Sequence, residues 1–216
     1  VIIVGAGGHA AELHFYIHYK NQQTTIEEEK ISIYGFIDDD ESVYHEYEYE
    51  EPFLGDIENH EVVEEDVFYL MGIANVKYRR QIIESLEQKG ADFITFIHPT
   101  ALVAPTAIIG KGVVISHNAS VGPKVTIGDH NMLNSRCTIG HDTKIGDYNF
   151  ISPQVAVAGN TKIGDENMLG TNSCTIPGMT IGNRNKRAAG MIIYKPVGDD
   201  STVLFRHKER LIIKEK

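Results

Sequence analysis

His141 and Gly159 are eighteen residues apart in this chain of 216 residues, and Asp142 directly follows the histidine. An imidazole beside a carboxylate can take a proton from an attacking nucleophile. A glycine stacked above the ring would leave a gap of side-chain size, with a backbone amide close enough to meet a developing oxyanion. A second chemical group opens the chain. Gly5-Ala6-Gly7-Gly8-His9-Ala10 follows the apolar run Val1–Val4 and precedes a helical pattern. Gly5, Gly7 and Ala10 fit the G-x-G-x-x-G/A turn, in which glycines bring backbone amides against a phosphate at a helix N-terminus. Asp38 and Asp39 end the second apolar run, where a carboxylate could reach a ribose or a base. His9 has no structural need to sit in the turn and is a candidate ligand contact.

Eighteen residues means vertical stacking only if the chain coils, and the sequence repeats as a coil must. From Val103 to Leu169 every sixth residue is Ile, Leu or Val, each followed by Ala, Gly, Ser or Asn. Only Thr175 breaks the series before Ile181 resumes it. Such a hexapeptide period makes each repeat one flat face of a triangular β-helix, with layers about 4.8 Å apart. About five coils follow from this count. The corner columns then read Lys111, Asp129, Asp147, Asp165, Asn183; His117, Ser135, Pro153, Thr171, Ala189; and Pro105, Pro123, His141, Gly159, Pro177. The first column is turn residues. The third isolates His141 beneath Gly159. Cys137, two before an apolar anchor, is a packing residue. His117, His130 and His141 are separated by 13 and 11, which puts them on different corners and predicts no metal among them. His98, before Pro99, is structural.

Residues 1–97 alternate strands (Val1–Val4, Ile31–Ile37, Val67–Ile73, Phe93–Ile97) with helices (Ala10–Lys20, Val76–Lys89), the pattern of a small parallel sheet. Leu13, Tyr16 and Ile17 face inward on the first helix, and Ile82, Ile83 and Leu86 on the second. The acidic, aromatic segment Glu41–Glu51 reads as a solvated loop or hairpin. The fold class is an α/β Rossmann-like half domain (1–97), followed by a left-handed parallel β-helix of hexapeptide repeats (98–190) and a C-terminal tail (191–216). A half domain suits a single nucleotide better than a dinucleotide. The formal charge of −10 argues against nucleic acid as a partner. No apolar stretch is long enough for a membrane span. No basic-then-apolar leader is seen, and two distant cysteines give no disulfide framework, so a cytoplasmic location is expected.

The order GAGGHA, GFIDDD, FIHPTALVAP, then NSRCTIGHD and ISPQVAVAGN resembles the sugar acyltransferases of bacterial glycan biosynthesis. These include nucleotide-sugar N-acetyltransferases and a sialic-acid O-acetyltransferase. The resemblance covers roughly residues 1–190. It implies a homotrimer with sites between subunits, acetyl-CoA as donor and no metal. It also implies a nucleotide-linked amino sugar held by Gly7, Gly8, His9, Asp38 and Asp39. His141 matches the family's base, Asp142 its acidic partner, Gly159 the amide that meets the acetyl carbonyl, and Asn134 a position near the sugar. The activity expected is acetyl-CoA-dependent N-acetylation, at the C4 amine. The alternatives are O-acetylation of a sialic-acid-type sugar and a non-catalytic nucleotide-sugar-binding scaffold. The family's usual C-terminal ending is replaced here by Ser201–Lys208. Lys186 and Arg187 are therefore expected to hold the donor's phosphates instead.

Overall fold

The computed structural model describes residues 1–63 and 66–204; the basic tail from 205 to 216 lies outside the described residues. Strand β1 (Ile2–Val4) is the middle of a three-stranded parallel sheet of order β2-β1-β3, with β2 at Gly35–Ile37 and β3 at Tyr69–Met71. All three strands are buried along their whole length, so they show no polar alternation. The ladders cover only the cores of the expected runs Ile31–Ile37 and Val67–Ile73.

Helix α1 (Gly8–Gln23) starts two residues earlier than its apolar spacing indicated and buries Ala10, Leu13, Tyr16 and Ile17. A short helix α2 (Glu41–His45) is capped by Asp40, whose side chain accepts from Ser42 N–H. The segment that follows is no solvated hairpin: the Tyr49 ring stacks on Phe36 with centroids 4.0 Å apart. Helix α3 (Val76–Gln88) buries Arg79, Ile83 and Leu86.

From Phe96 the chain winds into a parallel β-helix whose three faces hold seven, six and five rungs among the described residues. This is about six coils, and both expected boundaries shift. Phe93 makes only a bridge to Tyr69 in the α/β sheet, whereas Phe96–Ile97 pairs with Val114–Ile115 as the first rung. Beyond residue 190, Ile192–Ile193 pairs with Cys174–Thr175, and Thr202–Val203 with Lys186–Arg187. Each corner turns through a residue of positive φ, from Asn118 (54°) to Asn172 (58°), mostly at six-residue steps. The left-handed backbone aims successive rungs along successive faces.

Polar ladders brace the coils. At one corner Asp129, Asp147, Asp165 and Asn183 each accept the backbone N–H of the residue one coil below, at 2.8–2.9 Å. Inside, Asn131, Asn149 and Asn167 accept in turn from the amides of Asn149, Asn167 and Asn185. An interior of backbone carbonyls and amides has to be satisfied internally, and these side chains do it.

The α/β unit docks on one face of the prism. Val114, Met132 and Phe150, the outward residues of that face, belong to the same apolar core as Ile2, Leu13 and Leu86. One end of the dock is fixed by Arg79, fully buried, whose Nη2 donates to the carbonyls of His130 (3.0 Å) and Asn149 (3.1 Å). Burial pushes its pKa down to about 10, which leaves it charged at neutral pH. The other end is fixed by Tyr16, whose hydroxyl lies 2.9 Å from His117 Nδ1.

Replacing Arg79 by Met keeps the volume but removes both of its hydrogen bonds and leaves the His130 carbonyl without a donor among the described residues, whereas the Asn149 carbonyl keeps the Met132 N–H at 2.9 Å. The variant should lose about 2–4 kcal/mol of stability. Thermal unfolding should show this as a Tm lower by about 5–10 °C. An unchanged Tm would mean that the His130 carbonyl finds another donor.

Candidate active site

His141 lies on the corner between the second and third faces, reached from the rung Thr138–Ile139 and left by Lys144–Ile145. Its side chain is 62% exposed, and its Nδ1 lies 2.8 Å from Asp142 Oδ2. Asp142 takes a φ of 57°. That left-handed turn, which short Asp side chains tolerate, folds its carboxylate back beside the ring of the preceding residue. With Nδ1–H donated to the carboxylate, the lone pair sits on Nε2, the nitrogen turned away from Asp142.

Gly159 stands one coil above, but there is no empty gap. A Cβ there would come within 2.8 Å of His141 Nε2 and 2.9 Å of Cε1, so the imidazole itself fills the space that glycine leaves. Glycine is required for close approach, and the approach puts Nε2 against the Gly159 backbone. Among the described residues no acceptor takes the Gly159 N–H. Thr175, the break in the apolar series, explains part of this corner. Its hydroxyl points inward and accepts from Ala158 N–H at 2.8 Å, fixing the peptide just before Gly159. The break was legible in the sequence; its purpose was not.

The second cluster forms a cleft of about 280 Å³ where β1 meets α1. Gly5, Gly7, Gly8, His9 and Asp38 line it, joined by Val43, Gly72, Ile73, Ala74 and Asn75. Gly5 has a φ of 101°, and a Cβ there would meet Ile73 at 2.8 Å. Asp38 uses one oxygen to accept from Ala6 N–H (2.7 Å) and the other from Asp40 N–H (3.0 Å), so it shapes the turn as well as lining it. His9 Nδ1 lies 3.1 Å from Glu12 Oε2, and this bond is the main cause of the lowered Glu12 pKa. His9 Nε2 is buried with no partner among the described residues, as expected of an atom awaiting a ligand. Tyr49, unremarked in the sequence, donates from its hydroxyl to the Ala6 carbonyl at 2.9 Å and closes the turn from above.

Four expected site residues lie elsewhere. Asp39 is outside the cleft: its Oδ1 accepts from Ile57 N–H at 3.0 Å and holds a loop. Asn134 is on the corner between the docking face and the second face, buried, its Oδ1 bonded to Ser135 N–H. Lys186 is exposed on the docking face, and Arg187 points the opposite way, into the lumen, at 3% exposure. The two cannot share a phosphate, because neighbours on a strand face opposite sides. Arg187 occupies an anchor position of the repeat, which is why it turns inward. Exposed Lys144 and Lys162 stack on the third face, next to the His141 corner.

The remaining polar candidates are structural. His98 is buried, with Nδ1 accepting from Thr100 N–H. His130 is buried and stacks on Tyr148 at 5.2 Å. His117, His130 and His141 occupy three different corners. Cys137 is fully buried and its thiol is pushed up to about 12 by burial, so it is no nucleophile.

The prism separates the two clusters. The cleft belongs to the α/β unit on the docking face, and His9 lies 6.3 Å from Phe150 of that face. His141 is on the vertex opposite. Exposed Leu102 and Ile108 flank that vertex on either side, beside Pro105. A base with a polar amide can activate a nucleophile toward an acyl carbonyl, but this chain alone does not bring the cleft to it.

Gly159→Val should displace the His141 ring from Asp142 while leaving the lumen packed, because the added methyls point outward at the imidazole. A crystal structure of the variant would read this directly. An unmoved ring would refute the close approach argued above.

Comparison with known proteins agrees with this architecture. Residues 1–86 match the family described as PglD N-terminal domain. Residues 106–141 and 124–159 match the bacterial transferase hexapeptide family. A UDP-N-acetylbacillosamine N-acetyltransferase of Bacillus subtilis (strain 168) is 46% identical over 50 residues, which span 23% of this chain and 23% of that protein. The acetyltransferase domain of PglB from Neisseria gonorrhoeae FA1090, solved with acetyl coenzyme A, is 28% identical with a TM-score of 0.80, covering 93% of each chain. PerB from Caulobacter crescentus, solved with CoA and GDP-perosamine, shares the fold at 24% identity and a TM-score of 0.82, over 93% of this chain and 91% of its own.

Proposed function

We propose that this chain, a member of the hexapeptide-repeat acyltransferases that carry a PglD N-terminal domain, transfers an acetyl group from acetyl-CoA to the C4 amine of a nucleotide-linked amino sugar. One observation carries the reading: His141 Nδ1 is held by Asp142, and Nε2 is packed against the Gly159 backbone. The amine nitrogen attacks the thioester carbonyl as the neutral imidazole Nε2 takes its proton. Asp142 orients the ring and stabilises its charged form, as a carboxylate on the far nitrogen does. The Gly159 N–H donates to the oxyanion. The tetrahedral intermediate collapses with cleavage of the C–S bond, and the sulfur leaves with the proton returned from His141. The exposed ammonium groups of Lys144 and Lys162 flank a route for the donor's phosphates along the third face.

The Gly-rich cleft would hold the nucleotide, with its amides and the α1 N-terminus toward the phosphates. The unpartnered His9 Nε2 would accept a hydroxyl. Because one chain keeps the cleft and His141 on opposite sides of its prism, the complete site is read as shared between subunits of a homotrimer. Asn134, on a different corner from His141, would likewise act across that boundary. The apolar Leu102 and Ile108 beside the vertex are the surface through which a neighbour would pack.

His141→Ala should lower kcat by about 10²–10⁴, the usual worth of a positioned general base, with circular dichroism unchanged. Retention of more than half the activity with amino-sugar nucleotide would sink the assignment.

Sharing between subunits has its own test. His9→Trp, which fills the cleft, and His141→Ala should each be nearly inactive. Refolded together, they should recover activity at about one site in four by random association. No recovery from a mixture shown to exchange subunits would mean that each chain completes its own site.

A further inference from the structure

Away from both clusters, helix α1 presents His14 and His18 one turn apart on one face, opposite Glu51. His14 Nε2 lies 2.9 Å from Glu51 Oε2 and 3.1 Å from His18 Nε2, and His18 Nε2 lies 3.3 Å from Glu51 Oε1. Three donor atoms that close together have one obvious common use. A tetrahedral zinc ion with bonds of about 2.0–2.1 Å sets its ligand atoms about 3.3 Å apart. The two imidazole nitrogens are already nearly that far apart, and the two Glu51 oxygens lie 2.9 Å from one and 3.3 Å from the other, so a small turn of the carboxylate would let one oxygen join both nitrogens around a single ion.

We propose that His14, His18 and Glu51 form a binding site for a borderline transition-metal ion, zinc first, with water in the remaining position. Two imidazoles and one carboxylate suit zinc, and they do not suit calcium or magnesium, which take oxygen ligands. The site is braced from behind. The His14 ring packs at 5.2 Å against Tyr49 and 5.9 Å against Phe36, and the Tyr44 hydroxyl donates to the Glu51 carbonyl at 2.7 Å. It is also open in front, because the His18 side chain is 46% exposed.

The consequence follows from what the ligands join. His14 and His18 belong to the helix that begins at the glycine-rich turn. Glu51 ends the strap that carries Tyr49, whose hydroxyl grips that turn at Ala6. A metal ion here would fasten strap to helix and so hold the upper wall of the cleft. This is a structural clamp, separate from the His141 corner and independent of the acetyltransferase reading.

The test needs no activity assay. Untagged, chelator-treated protein is titrated with zinc chloride by calorimetry, and with cobalt(II) by visible absorption. The wild type should bind one zinc per chain at micromolar or lower Kd, give a tetrahedral cobalt spectrum, and gain about 5 °C or more in Tm with zinc in hundredfold excess over Kd. Amide exchange in residues 44–51 should slow. His18→Ala, at an exposed position, folds normally and should bind about tenfold or more weakly. Glu51→Gln should lose the cobalt spectrum. If the wild type binds no zinc at 100-fold the micromolar range, the three groups are merely an ion-paired cluster and the proposal fails. It fails equally if His18→Ala binds with full affinity, because the ion then sits elsewhere.

Discussion

Lateral hydrogen bonds hold residue n of the repeat beneath residue n + 18 through most of the coils, and the chemistry of the chain is placed by that register. Parallel rungs alone would allow slippage, since a two-residue strand has few bonds. The side-chain ladders remove that freedom. Each Asp or Asn of the corner column accepts the amide of the coil below, and the lumenal asparagines accept the amide of the coil above. A slip by one repeat would leave the lumenal acceptors unpaired in a low-dielectric interior, where each lost bond costs about 1–3 kcal/mol. The contact between the His141 ring and the Gly159 backbone depends on this register being exact to one residue in eighteen.

The same rule explains the irregularities. Thr175 and Arg187 stand where the repeat wants an apolar residue, and both turn inward as their position dictates. Thr175 spends its hydroxyl on the Ala158 amide beside the site. Arg187 sits near the C-terminal end of the lumen among Ile193, Val197 and Val203, and its nitrogens have no partner among the described residues. Burial lowers its pKa. Position within the repeat, and not charge, decides where a side chain of this domain points.

That distinction marks what could be read from the sequence. The coil, its columns, the pairing of His141 with Gly159 and the structural nature of Cys137 follow from period alone, because a six-residue period fixes direction and an eighteen-residue one fixes neighbours. Two readings failed where period was set aside for charge or local composition. Lys186 and Arg187 looked like a cationic pair, although alternation along a strand sends them to opposite sides. Asp38 and Asp39 looked equivalent, and only the backbone between Ile37 and Asp40 decides that one bonds Ala6 and the other Ile57. Others had no local signal at all. Arg79 reads as a solvated helix charge; its burial depends on two carbonyls supplied by coils more than fifty residues away. The strap from Tyr44 to Glu51 reads as acidic and loose because its aromatic partners, Phe36 and α1, are distant in sequence.

The docking of the α/β unit on a single face has a cost and a benefit. It buries Val114, Met132 and Phe150, which would otherwise be an exposed apolar stripe on the prism. It also holds the glycine-rich cleft as far around the prism from His141 as a triangle allows. Within one chain the two clusters are therefore useless to each other, however well each is formed. An isolated subunit could bind a nucleotide and could present a base, yet it would not bring them together. In the proposed assembly a neighbour's cleft faces the vertex, so chemistry appears only when the assembly is complete. In that proposal, glycine at 159 and the paired carboxylate at 142 prepare the His141 imidazole in advance. What remains for assembly to contribute is position, the entropic part of the barrier that proximity removes.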